Sequence, residues 1–212
     1  MSESTIDALL FDLGRVLIDI DMTRIHRRWA ELAGVPPETV HAQATARLMG
    51  SDAFHQHERG EIPNEQFFAH VRSTLAVDLS DAQLLDGWNA IFIGEMAGIR
   101  AVLARVEGRV PLYVFSNTNA AHEPYWSSHF AQLLRPFAKI YVSHRLGARK
   151  PEAAAFAAVT ADMGVAPDRV LFFDDAASNV TGARACGLRA EQVAATADIE
   201  RALRAHGVFS ET

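Results

Sequence analysis

At 212 residues the chain has room for one large domain or for one domain carrying an insertion. Its 49% hydrophobic and 22% charged residues are those of a globular protein rather than a disordered one, and a net charge of −6 argues against a nucleic-acid binder. The lone Cys186 rules out an internal disulfide, no apolar run approaches the about 20 residues that span a bilayer, and residues 1–10 lack a signal-peptide pattern, so a cytoplasmic protein without nucleic-acid or membrane partners is expected.

Ala8–Phe11 is the first short, wholly apolar run and reads as a buried strand. The next about 70 residues, 18–87, hold no comparable run. They read as helices at Met22–Ala33, 39–49, Asn64–Leu75 and 80–86, separated by Gly34-Val35-Pro36-Pro37, Arg59-Gly60 and Ile62-Pro63. A helix over 95–106 follows, with Met96, Ile99, Val102, Leu103 and Val106 on one face. Strands at 110–115, Lys139–Val142 and 170–173, with a weaker one at 188–193, then alternate with helices at 151–163, 176–186 and Thr196–Ala205. Short apolar strands alternating with helices predict an α/β fold, a doubly wound parallel sheet covered on both faces. The sequence thus divides into an α/β core, 1–17 and 88–212, and a helical cap inserted at 18–87.

Open α/β sheets bind ligands beyond the carboxyl ends of their strands. The residues there are Asp12-Leu13-Gly14-Arg15 after the first strand and Ser116-Asn117-Thr118-Asn119 after the second. Arg149-Lys150-Pro151 lies beyond the third, and Asp174-Asp175 comes after the fourth, with Asn179 close behind. Carboxylates forced together repel one another, and a hard divalent cation bound by oxygen ligands, Mg²⁺ above all, offsets that cost. A lysine and a hydroxyl beside them add anion-binding capacity. The set describes a phosphate site in which a metal and a lysine neutralise the dianion while an aspartate attacks phosphorus.

Four motifs in this order resemble the haloacid dehalogenase superfamily: an apolar strand ending in Asp12, Ser116 after a strand, Lys150 before a helix, and the acidic pair Asp174-Asp175. The helical insertion lies where that superfamily places its first-type cap. The resemblance implies that Asp12 is the nucleophile and a magnesium ligand, that the Gly14 carbonyl and Asp175 are further ligands, and that Asp174 binds directly or through water. It implies too that Ser116 and the Asn117 amide hold the phosphoryl oxygens and that Lys150 bridges Asp12 and the phosphate.

Most phosphatases of the superfamily carry a second aspartate, a general acid and base, where this chain has Gly14. Such proton transfer is worth about 10²–10⁴-fold. Three explanations compete: a dehalogenase, which needs no metal and would leave Asp174-Asp175 unexplained; a non-catalytic phosphate binder; or a substrate whose leaving group needs little help, such as a sugar 1-phosphate. The last is preferred. Phe11-Asp12-Leu13-Gly14 with Asp19-Ile20-Asp21, the cap stretch Ala53-Phe54-His55-Gln56-His57-Glu58-Arg59-Gly60-Glu61-Ile62 and Ser116-Asn117-Thr118-Asn119 also resemble the bacterial α-D-glucose-1-phosphate phosphatases, in which the same glycine replaces the second aspartate.

The remaining residues have plainer readings beside these. Asp21 suits a helix start, and Asn179 serves equally to orient the acidic loop or to cap a helix. His55 and His57 stand two apart in a stretch that reads helical, which does not suit shared metal ligation; His57 is expected to line the cap and touch substrate. A small phosphorylated metabolite is the expected partner, and the protein is expected to be a monomer or weak homodimer.

Overall fold

The computed structural model describes residues 6–209. Its elements in chain order begin with β1 (Ala8–Phe11), β2 (Ile18–Ile20) and five helices, α1 (Met22–Ala33), α2 (Pro37–Gln43), α3 (Asp52–Glu58), α4 (Asn64–Leu75) and α5 (Asp81–Asn89). They continue as β3 (Phe92–Glu95), α6 (Ile99–Val106), β4 (Leu112–Ser116), α7 (Glu123–His129), α8 (Ala131–Leu134), β5 (Lys139–Val142), α9 (Ser143–Leu146) and α10 (Ala153–Met163). The last are β6 (Val170–Asp174), α11 (Ala177–Ala185), β7 (Arg189–Gln192) and α12 (Thr196–Ala205).

The expected α/β architecture is present: β5-β4-β1-β6-β7 form one sheet, paired in parallel throughout. Alternation along β1 sends Leu9 and Phe11 to one face, where they pack with Val102, Val106, Trp126, Phe137 and Leu203. Ala8 and Leu10 go to the other face, with Phe156, Val159, Val180 and Ala183. Both faces are therefore dry, which is why the strands read as continuous apolar runs. The register sets Phe11 beside Val114 and Phe173, so Asp12 emerges between the ends of β4 and β6. The direction of chain progression reverses across β1, and such a switch point leaves a crevice at the strand ends.

The inserted segment has a core of its own. Trp29 and Trp88 stack with centroids 5.6 Å apart, Phe67 lies 5.1 Å from Trp88, and Ile25, Val40, Leu48, Val71 and Leu84 close around them. Its helix ends obey local chemistry: Asp21 accepts from the Thr23 amide at 2.8 Å to start α1, and Ser80 and Gln83 form a capping box on α5. The expected boundary at 87/88 cuts through α5, and Trp88 packs with the cap cluster.

Several expectations need correction. The segment 92–95, whose last residue opens the expected helix, is β3, which pairs antiparallel with the unforeseen β2. The helix starts only after Gly98, in the left-handed conformation at φ 79°. The helix expected over 39–49 is α2 followed by a wide π turn, Ala44–Leu48. Of the short helices, α3 falls in the stretch around His55 and His57 that reads helical, whereas α7, α8 and α9 have no counterpart among the expected elements, because pieces this brief carry little periodicity.

Candidate active site

The four strand-end segments converge on Lys150. Its ammonium is 1% exposed and lies 2.8 Å from Asp12 Oδ1 and 2.7 Å from Asp174 Oδ2. It also sits 5.3 Å from the ring centroids of both Phe115 and Phe172, an aromatic cradle that suits a cation. The segment carrying it is clasped at both ends of one amide: Asn117 Nδ2 donates to the Lys150 carbonyl at 2.9 Å, and the Lys150 amide donates to Asn117 Oδ1 at 2.8 Å. The Asn117 side chain thus has a role that the sequence does not suggest.

Asp12 extends the β1–β6 ladder by donating its amide to the Phe173 carbonyl, while its Oδ1 also accepts from the Leu13 amide at 2.7 Å. Asp174 is fully buried, accepting from the Ala176 amide at 2.9 Å and from Asn179 Nδ2 at 3.0 and 3.1 Å. Asn179 therefore orients the acidic loop. Asp175 is more open, with Arg15 Nη1 3.7 Å from its Oδ2; Arg15 is more than half exposed and sits at φ 59°, rare for a side chain of this size. Ser116 ends β4, buried, with only a 3.5 Å contact from its hydroxyl to the Asn117 carbonyl.

One oxygen from each of Asp12, Asp174 and Asp175 lies within 4.8 Å of the others. Burial pushes the Asp12 carboxyl up to about 7; Lys150 pulls against that and Asp174 adds to it. Asp175 is raised by burial and by Asp174, although Arg15 and Lys150 oppose the shift. Burial alone would lower Lys150, but the two aspartates outweigh it and the net shift is upward. Three carboxylates around one buried ammonium leave negative charge uncompensated, and an all-oxygen donor set of this kind fits a hard divalent cation. Gly14 lies on the same turn, in an isolated bridge with Ile18, and its carbonyl is an oxygen donor of the same class.

Three further residues stand out. Ser143 Oγ donates to the Thr118 carbonyl and accepts from the Thr118 amide, both at 2.9 Å, tying the loop after β4 to the end of β5. Nothing in a serine's sequence position signals such a bridge. Asn119 Oδ1 accepts from the Ala121 and His122 amides and from Trp88 Nε1 of the cap. The His57 ring is buried in the cap, with Nε2 2.9 Å from Asn64 Oδ1 and Phe67 stacked 4.2 Å away. Those contacts are packing contacts and lend no support to a substrate role.

Residues 6–187 match the model of the haloacid dehalogenase-like hydrolases. The chain belongs to that family. This hydrolase is 26% identical over 177 residues to a D-ribitol-5-phosphate phosphatase of Bacteroides thetaiotaomicron, covering 81% of this chain and 84% of the relative. It superposes on a haloacid dehalogenase family enzyme of the same bacterium, solved with magnesium and inorganic phosphate, with a TM-score of 0.76, 27% identity and coverage of 90% and 96% of the two chains. An L-2-haloacid dehalogenase of Xanthobacter autotrophicus shares the fold, with a TM-score of 0.66 at 18% identity over 97% of this chain and 85% of that one.

Proposed function

We propose that this hydrolase is a Mg²⁺-dependent phosphatase of a small phosphorylated metabolite, and that a sugar 1-phosphate is its substrate. The observation that carries the reading is the buried Lys150 ammonium pinned between Asp12 and Asp174 beside a third carboxylate, Asp175. Magnesium and inorganic phosphate in a structural relative support it. A dehalogenase, which expels halide without a metal, would leave the excess negative charge unexplained.

In this reading Asp12, Asp175, Asp174 and the Gly14 carbonyl hold the cation, which supplies positive charge to the phosphoryl oxygens. Lys150 spans Asp12 and the phosphate, and the Ser116 hydroxyl and Asn117 amide hold the remaining oxygens. A carboxylate oxygen of Asp12 forms a bond to phosphorus as the ester P–O bond breaks, giving an aspartyl-phosphate and a leaving oxygen that must gain a proton. Water then attacks phosphorus, releasing inorganic phosphate and restoring Asp12.

Gly14 bears on the choice of leaving group. A Cβ there would lie 2.8 Å from Ile20 Cδ1, so the tip of Ile20 must shift to admit a side chain at this position. A hemiacetal oxygen, more acidic than an ordinary alcohol, leaves with the least help. The D-ribitol-5-phosphate phosphatase favours a second reading, since an alditol 5-phosphate has no anomeric carbon and releases an ordinary alkoxide. Phosphate release from p-nitrophenyl phosphate, glucose 1-phosphate, glucose 6-phosphate and D-ribitol 5-phosphate, with Mg²⁺ and with EDTA, separates these readings. We expect EDTA to abolish turnover and glucose 1-phosphate to be cleaved far faster than glucose 6-phosphate. Equal rates on the two glucose phosphates would overturn the anomeric reading, and preference for ribitol 5-phosphate would establish the second. Metal-independent turnover would remove magnesium from the account, and failure on even the aryl ester would point to a phosphate binder.

A further inference from the structure

The cap stretch Glu58-Arg59-Gly60, at the end of α3, lands on the segment that carries Lys150. Glu58 is buried, and its Oε2 accepts from Arg149 Nε at 2.7 Å. One residue on, Arg59 Nε donates to Glu152 Oε1 at 2.9 Å. The polarity is crossed: the cap contributes the anion to one pair and the cation to the other. Arg149 and Glu152 bracket Lys150-Pro151 and are bonded to each other, the Glu152 amide to the Arg149 carbonyl at 2.8 Å and the Arg149 amide to Glu152 Oε2 at 3.2 Å. Gly60 completes the contact. It sits at φ 69°, and a Cβ there would fall 2.2 Å from the His144 carbonyl oxygen, so only a glycine lets the chains approach this closely.

We propose that Glu58 and Arg59 are positioning residues: through Arg149 and Glu152 they hold the Lys150 segment in register only when the cap is seated on the core. Crossed polarity specifies that register, because a slipped or rotated cap would set like charges against each other. Charged partners also suit a contact that must release, since both sides are rehydrated when they part, whereas an apolar patch would resist opening. The proposal rests on the catalytic role given above to Lys150.

The test exchanges charges without changing composition. In the full chain, Glu58→Arg with Arg59→Glu sets arginine against Arg149 and glutamate against Glu152. With p-nitrophenyl phosphate and Mg²⁺, we expect kcat/KM to fall by about 10–100-fold while Tm stays near that of the parent, the pattern of a displaced catalytic group rather than of a weakened fold. Adding Arg149→Glu and Glu152→Arg should recover most of the loss. Small-angle scattering should show a larger radius of gyration for the double variant and a return for the fourfold one, a readout that needs no turnover and so separates failure of this contact from failure of the phosphatase reading. An unchanged kcat/KM and radius in the double variant, or no recovery in a fourfold variant of normal Tm, would overturn the proposal. Should the double variant not fold, Glu58→Gln alone carries the test through the same kinetic and scattering readouts, and parental values in both would overturn it.

Discussion

The sheet edge and the cap contact both bury charge, and they balance it in opposite ways. At the sheet edge Asp12 and Asp174 share one buried ammonium, the third carboxylate, Asp175, has the exposed Arg15 3.7 Å away, and burial holds the Asp12 carboxyl near 7. Where the cap meets the core, Glu58 faces Arg149 and Arg59 faces Glu152, so each charge has its opposite. An unbalanced cluster is expensive until something with the missing charge arrives; a balanced one is complete by itself, and breaking either partner leaves a charge uncompensated. In the proposed reading the imbalance is where a cation and substrate would enter, while the balanced pairs lie where the cap meets the core.

The largest test of that contrast is Asp12→Asn. It should lower turnover by at least about 10³-fold, the scale of losing a covalent nucleophile. Because the change also relieves carboxylate crowding, the metal-free variant should melt no lower than the parent, and Mg²⁺ should raise its Tm less. Substantial turnover would remove Asp12 as nucleophile, and a clearly lower metal-free Tm would show that the cluster is balanced after all. Next in size, Gly14→Asp with Ile20→Val should add a proton donor and raise glucose 6-phosphate cleavage by up to about 10²-fold, with a smaller gain for Gly14→Asp alone. An unchanged rate in the double variant would show that the leaving group is not limited by a missing acid.

The smallest effect lies in the cap, where burial and His41 hold the His26 pKa down to about 4. The unfolded chain, with an ordinary histidine near 6.5, binds the extra proton first. Stability is therefore full above about pH 6.5 and is lost as pH falls toward 4, by up to about 1.4 kcal/mol per unit for this group. His26→Gln should flatten the fall of Tm between pH 6.5 and 4.5, and parallel curves for the two proteins would show that His26 does not contribute. His122, held by burial to about 3 where it stacks on Trp88, adds a slope of the same sign.

Legibility tracks the range of the interactions. Strand ends and the residues just beyond them are readable because a strand buried on both faces is apolar throughout, and its first polar residue marks the sheet edge. Asp12, Ser116 and Asp174 are legible in that way, and Lys150 by its place after β5. The hairpin of β2 and β3 is not, since its two strands are short and lie about 70 residues apart along the chain. Asn117 draws notice for its backbone amide, whereas its side chain clasps a peptide 33 residues away. The seat of His57 is illegible for the same reason, since its neighbours Asn64 and Phe67 come from another helix.

The amino-acid sequence by itself determined the α/β class, the helical insertion and the order in which four chemically distinct segments reach the sheet edge, because these depend on apolar periodicity and on the residues just past each strand. Only the tertiary structure decided that Lys150 lies between two aspartates, that Ile20 fills the space beside Gly14 and that Glu58 and Arg59 land on either side of the lysine segment. Each of those facts is a distance between residues that only the folded chain brings together, set by strand register and by the docking of one hydrophobic core against another, and no local pattern encodes it.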